Sequence, residues 1–142
     1  MVGTIEREMN VIRKALTDKG YNTDTLTYDD LRSFILSCYL NNGARYVNNV
    51  TIRGGQFRFT FIMDDCRFII KAGRNMAGAR QCEEECNLYN KARKAGLYRY
   101  FAKPRGVFTF GEVDFYGFDK LNYIGNVDSC PIPIILEGIE RY

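Results

Sequence analysis

The chain has 142 residues, 46% of them hydrophobic and 26% charged, with a formal net charge of +3. That is the size and make-up of one globular domain with a real core, and so mild a positive charge neither demands nucleic acid nor fits an acidic mimic of DNA. Histidine is absent, which removes Ser-His-Asp and Cys-His nucleophiles, most zinc chemistry and the commonest general base, while catalysis through carboxylates or lysine remains possible.

Thr4 can cap a helix from Ile5 to Lys19, in which Ile5, Met9, Ile12 and Leu16 form one stripe and Gly20 is the stop. A second helix starts at Thr27, with Asp29 and Asp30 in the first turn where negative charge suits the dipole. Leu31, Phe34, Ile35, Cys38 and Tyr39 make its apolar face and Asn41-Asn42-Gly43 ends it. Tyr46 to Arg53 then reads as a strand, and Gly54-Gly55 as a hairpin turn. Phe57, Phe59 and Phe61 alternate strictly, so they share a face and are expected to form core on the helix side of the sheet, with Arg58 and Thr60 facing the other way. Asp64-Asp65 is a turn, and Cys66 to Ala72 a third strand.

After a loop from Gly73 to Gly78, a third helix is expected from about Ala79 to Ala95, with Cys82, Cys86, Tyr89 and Ala92 as its inner stripe and Glu85 at the border. Gly106 to Phe110 and Val113 to Lys120 read as two more strands. The order α-α-β-β-β-α-β-β predicts one α+β domain over 1–142: an N-terminal α-hairpin in 1–43, a core over 44–124 with a roughly five-stranded antiparallel sheet and one major helix packed on it, and a tail over 125–142.

The five cysteines, Cys38, Cys66, Cys82, Cys86 and Cys130, are an odd number. The opening Met1-Val2-Gly3-Thr4-Ile5-Glu6 has acid at once and no apolar run after it, unlike a secretion signal. Buried free thiols are therefore expected rather than disulfides. Cys82 and Cys86 could share a helix face, but a metal site would need two more ligands without any histidine, so no metal is expected. No apolar run approaches the ~20 residues of a membrane span. The expected location is the cytoplasm, with no membrane partner.

Phe68-Ile69-Ile70-Lys71 resembles the V-A-I-K signature of protein kinases. Gln81-Cys82-Glu83-Glu84-Glu85-Cys86-Asn87-Leu88-Tyr89 resembles the small-lobe helix of kinase-like proteins carried by bacteriophages and their hosts, in which a glutamate stands four residues before a tyrosine, as Glu85 stands before Tyr89. Gly96 to Pro104 is similar to the loop into the fourth strand, and Phe118-Asp119-Lys120-Leu121 to the start of the hinge. The resemblance covers about residues 46 to 124 and implies a kinase-like N-terminal lobe without a catalytic lobe. It departs from a complete kinase in several places. The first hairpin has only Gly54-Gly55 rather than G-x-G-x-x-G, no H-R-D can exist without histidine, and Asp114-Phe115-Tyr116-Gly117 is not D-F-G.

The resemblance thus implies a nucleotide site of Lys71, Glu85, Gly54 and Gly55, or a remnant in which Lys71 and Glu85 are an ion pair between sheet and helix. A second candidate surface joins Lys91, Arg93, Lys94, Arg99, Lys103 and Arg105 to Tyr98 and Tyr100. Basic residues among aromatics can bind phosphates and stack on bases, or they are solvated charges over an aromatic cluster. Three functions follow. The first is a non-catalytic binding protein of phage or mobile-element type, without cofactor, that occupies a host protein or protein–nucleic-acid complex, with inhibition of a host defence system (anti-CRISPR-like) as its role. The second is the nucleotide-binding lobe of a split kinase-like enzyme. The third is a nucleic-acid binder. A sheet surface left without its lobe has to be covered by the N-terminal helices, the tail, a second copy or another protein.

Overall fold

The computed structural model describes residues 5–63 and 66–120. The expected Thr4 cap, the Asp64-Asp65 turn and the 125–142 tail lie outside these. Among the described residues the order is α1 (Ile5–Asp18), α2 (Tyr28–Ser37), β1 (Tyr39–Asn41), β2 (Ala44–Val47), β3 (Val50–Gly54), β4 (Arg58–Met63), β5 (Phe68–Gly73), α3 (Met76–Lys94), a 3-10 turn (Tyr98–Tyr100), β6 (Pro104–Phe110) and β7 (Val113–Asp119). The class is α+β, as expected, but the antiparallel sheet has seven strands rather than five, in the order β1-β2-β3-β4-β5-β7-β6.

The two extra strands have a local cause. α2 stops at Ser37, four residues before Asn41-Asn42-Gly43, because Cys38 is already extended. Asn42 and Gly43 both have positive φ and make the tight turn of a β1–β2 hairpin instead of a helix stop. Asn48, also at positive φ, breaks the expected 46–53 strand into β2 and β3. Tyr39, expected on the apolar face of α2, lies on β1 and is 70% exposed.

The strands alternate as expected, yet the face is the opposite of the one inferred. Phe59, Phe61, Ile70 and Phe115 join Met9, Ile12, Leu16, Leu31, Phe34 and Ile35 of α1 and α2 in one core. Arg58, Thr60 and Lys71 lie on the side of α3, where Arg58 and Lys71 reach Glu85. The sheet therefore has helices on both faces. The apolar face takes the long aliphatic stripe of α1 and α2, and the mixed face takes α3, whose buried residues are mostly small (Gly78, Ala79, Cys82, Ala92) with Tyr89 and with Glu85 half-buried at the border. Each of the fully buried large side chains adds roughly 1.5–3 kcal/mol. Phe57 lies outside this pattern: it sits in the β3–β4 turn and is 39% exposed.

α3 begins at Met76, earlier than expected, because the Asn75 side chain accepts from Gly78 N at 3.1 Å and caps it. The approach of β5 to α3 is close enough to require glycine. A Cβ at Gly78 would run into the Phe57 carbonyl, and one at Gly73 would run into the backbone of Ala79. This contact fixes where α3 starts relative to β5, and so where Glu85 meets Lys71.

Candidate functional site

Lys71 is the fourth residue of β5 and pairs with Thr60 of β4 on one side and Tyr116 of β7 on the other. Its Nζ donates to both carboxylate oxygens of Glu85, at 3.2 and 3.1 Å, and lies 5.3 Å from the centre of the Phe118 ring. Arg58, two residues before Thr60 and therefore on the same face, donates from Nη1 to Glu85 Oε1. One carboxylate thus carries two cations. The Lys71 side chain is 17% exposed and that of Glu85 31%, so the cluster is screened from most of the solvent.

The surroundings set the protonation states. Burial alone would pull the Arg58 guanidinium down, but the hydrogen bond and charge of Glu85 outweigh it and hold Arg58 above its ordinary range. Burial pushes the Cys82 thiol up, against the opposing pull of Arg58. Burial also raises Cys86, helped by Glu85 and Glu83. Both remain thiols and not nucleophilic thiolates at neutral pH. Burial pushes the Tyr116 phenol up to about 12, so it stays neutral beside Lys71.

The four residues of the expected nucleotide site are divided. Lys71 and Glu85 meet on the α3 face. Gly54 pairs with Phe59, on the opposite face, where a Cβ would strike the Arg74 guanidinium. Gly55 sits in the turn, its N–H bonded to Arg58 O at 2.8 Å and its carbonyl accepting from Arg74 Nε at 2.7 Å.

The basic and aromatic segment is divided as well. Arg93, Tyr98 and Lys103 line a cleft of about 360 Å³ together with Tyr89. Lys91 and Lys94 are exposed in the last turn of α3. Arg99 stacks on Tyr100, 5.2 Å from its centre. Arg105 is turned away into a two-pronged pair with Asp119, at 2.6 and 2.7 Å.

Two features escaped sequence reasoning. Arg58 lies on the α3 face and not on the face expected, and its spacing of two from Thr60, which pairs with Lys71, is the signal that points there. The exposed apolar group Leu36 (56%), Tyr39 (70%) and Leu40 (52%) was hidden because β1 was read as helix. Among the described residues no helix is long and apolar enough to cross a membrane, and no cluster of three metal-ligating side chains occurs. The chain matches no protein-family model, no curated protein and no solved structure.

Proposed function

We propose that this chain is a non-catalytic binding protein that works by occupying a surface of another protein. The observation that supports it most is the coincidence of large exposed apolar side chains with an edge strand: Leu36 lies in the last turn of α2, and Tyr39 and Leu40 lie on β1, which among the described residues has a partner on one side only. Such an edge, with apolar side chains on it, is a surface built to be covered. The charged cluster fits the same reading. Lys71 and Arg58 already spend their charge on Glu85, as a link between sheet and helix would, and burial keeps the neighbouring thiols protonated. The resemblance to phage-borne proteins makes a host protein or protein–nucleic-acid complex the partner, and inhibition of a host defence system the role.

Capture from host lysate tests this reading, using the tagged chain beside a variant with Leu36→Ser, Tyr39→Ser and Leu40→Ser. The expected result is a discrete partner retained by the wild type and lost by a variant that still folds. Equal capture by both would take the function away from this edge.

One observation favours a second reading. The Lys71–Glu85 pair is the contact that the kinase resemblance implies for a nucleotide-binding lobe. In that case ATP with magnesium binds and Lys71→Ala abolishes binding.

A further inference from the structure

A cleft of about 350 Å³ opens where the end of α2 meets the β1–β2 hairpin and the last residues of β3. Ile52 and Phe59 form its apolar floor, and Leu36 and Leu40 its exposed sides. Three arginines line it, Arg32, Arg45 and Arg74, and among the described residues no carboxylate does.

Two of the arginines are fixed in place. Arg74 stacks on Phe59 at 4.2 Å and donates from Nε to Gly55 O at 2.7 Å. It lies in space that only a glycine at position 54 leaves open. Arg45 Nη1 donates to the Leu36 and Cys38 carbonyls, at 3.3 and 3.2 Å, at the end of α2. Both orient their guanidinium through neutral oxygens, so their charge is not neutralised. Arg32 is exposed. None of the three has a carboxylate partner among the described residues, whereas Lys14, Arg58, Lys71 and Arg105 each have one.

We propose that this cleft docks an acidic segment of a partner protein, whose carboxylate enters among the arginines while a neighbouring apolar side chain covers Leu36 and Leu40. The inference rests on the binding-protein reading and names the chemistry of its partner. Charge complementarity sets the carboxylate, since guanidinium groups held in fixed positions suit a planar anion with two acceptor oxygens. The apolar sides set the rest of the ligand. A phosphodiester strand would leave Leu36, Tyr39 and Leu40 uncovered, and its cations would run along a track with stacking aromatics instead of converging on one aliphatic cleft. The edge of β1, unpaired among the described residues, offers backbone groups to an extended segment lying beside the cleft.

The test is an NMR titration of the isotope-labelled full chain with the peptide acetyl-Leu-Glu-Glu-Leu-amide, and with its Gln-Gln counterpart. The expected result is a salt-sensitive shift of the Leu36, Leu40, Gly43 and Gly54 amides and of the Arg74 Nε–H. The acidic peptide alone should cause it, and Arg32→Glu, which replaces an attraction by a repulsion, should weaken it about fivefold. Arg32 is exposed and has no hydrogen bond or ion pair among the described residues, and the variant's own spectrum verifies its fold. Equal shifts with both peptides, no shift at millimolar peptide, or shifts centred on Arg93 and Lys103 would overturn the proposal. So would displacement of the acidic peptide by an oligothymidylate, which would give the cleft to nucleic acid. If Glu137→Gln with Glu140→Gln moves the cleft amides of the free chain, the cleft belongs to the chain's own acids and the proposal also fails. Capture of the same lysate partner by Arg32→Glu and wild type would remove this proposal while leaving the binding-protein reading intact.

Discussion

Glu85 joins three elements through its carboxylate: Arg58 on β4, Lys71 on β5 and its own helix α3. Removing one cation leaves the carboxylate a partner, but removing the carboxylate leaves two cations facing each other in a half-screened site. Glu85→Gln is therefore expected to cost about 1–3 kcal/mol of stability, and Lys71→Met less. Denaturant unfolding of the two variants checks the order, and a larger loss for Lys71→Met would contradict it.

Glu8 on α1 presents the converse situation. It is 2% exposed, and its Oε1 has no hydrogen-bond partner among the described residues. Burial raises its pKa above the ordinary 4.5, with a hydrogen bond to Cys66 and the charge of Lys120 opposing. A raised carboxyl means that the folded chain prefers the neutral form, so stability is fullest below the ordinary value and is lost as pH rises through the raised one. Glu8→Gln is thus expected to melt a few degrees above wild type at neutral pH, with the gap closing below about pH 4.5. A gap that does not change with pH would rule this out. The sequence hid Glu8 because it falls between apolar positions of a well-formed stripe, where a glutamate reads as a border residue.

At the scale of elements, α2 is legible because its start is specified twice. Thr27 Oγ1 accepts from Asp30 N at 3.0 Å, and Asp30 Oδ2 accepts from Thr27 N at 3.1 Å. Glu112, in the β6–β7 turn, adds an acceptor for Tyr28 N at 2.8 Å. Thr27→Ala is expected to cost ~1 kcal/mol, and chemical denaturation measures it; an unchanged midpoint would mean that Glu112 carries the cap. The end of α2 was not legible. Leu36 to Leu40 is apolar enough to continue a helix, and only the turn at Asn42-Gly43, which needs the β2 strand to close on, makes Tyr39–Asn41 a strand. Propensity lost there to a pairing that cannot be seen locally.

For the whole molecule, the period-two pattern of β4 and β5 was readable and the face it served was not. Alternation identifies two sides of a strand without saying which helix lies on which. The sequence places α3 next to β5 in order, and this suggested that the phenylalanines meet it. In the structure α1 and α2 return to cover the aromatic face, and α3 takes the charged one. The Lys71–Glu85 ion pair was legible through the resemblance of a strand ending in lysine, a glycine-bearing loop and a glutamate-rich helix to a kinase small lobe. The arginine cleft was not, because Arg32, Arg45 and Arg74 come from three separate segments.

The central claim is that Lys71, Arg58 and Glu85 form a structural link and that the chain binds without catalysing. Thermal melting of the full chain with and without ATP and magnesium, beside Lys71→Ala, tests it most directly. Nucleotide is expected to leave the melting temperature of both proteins unchanged, and Lys71→Ala is expected to melt lower through loss of its ion pair. A nucleotide-dependent rise in the wild type that Lys71→Ala abolishes would contradict it and make Lys71 and Glu85 working parts of a nucleotide site.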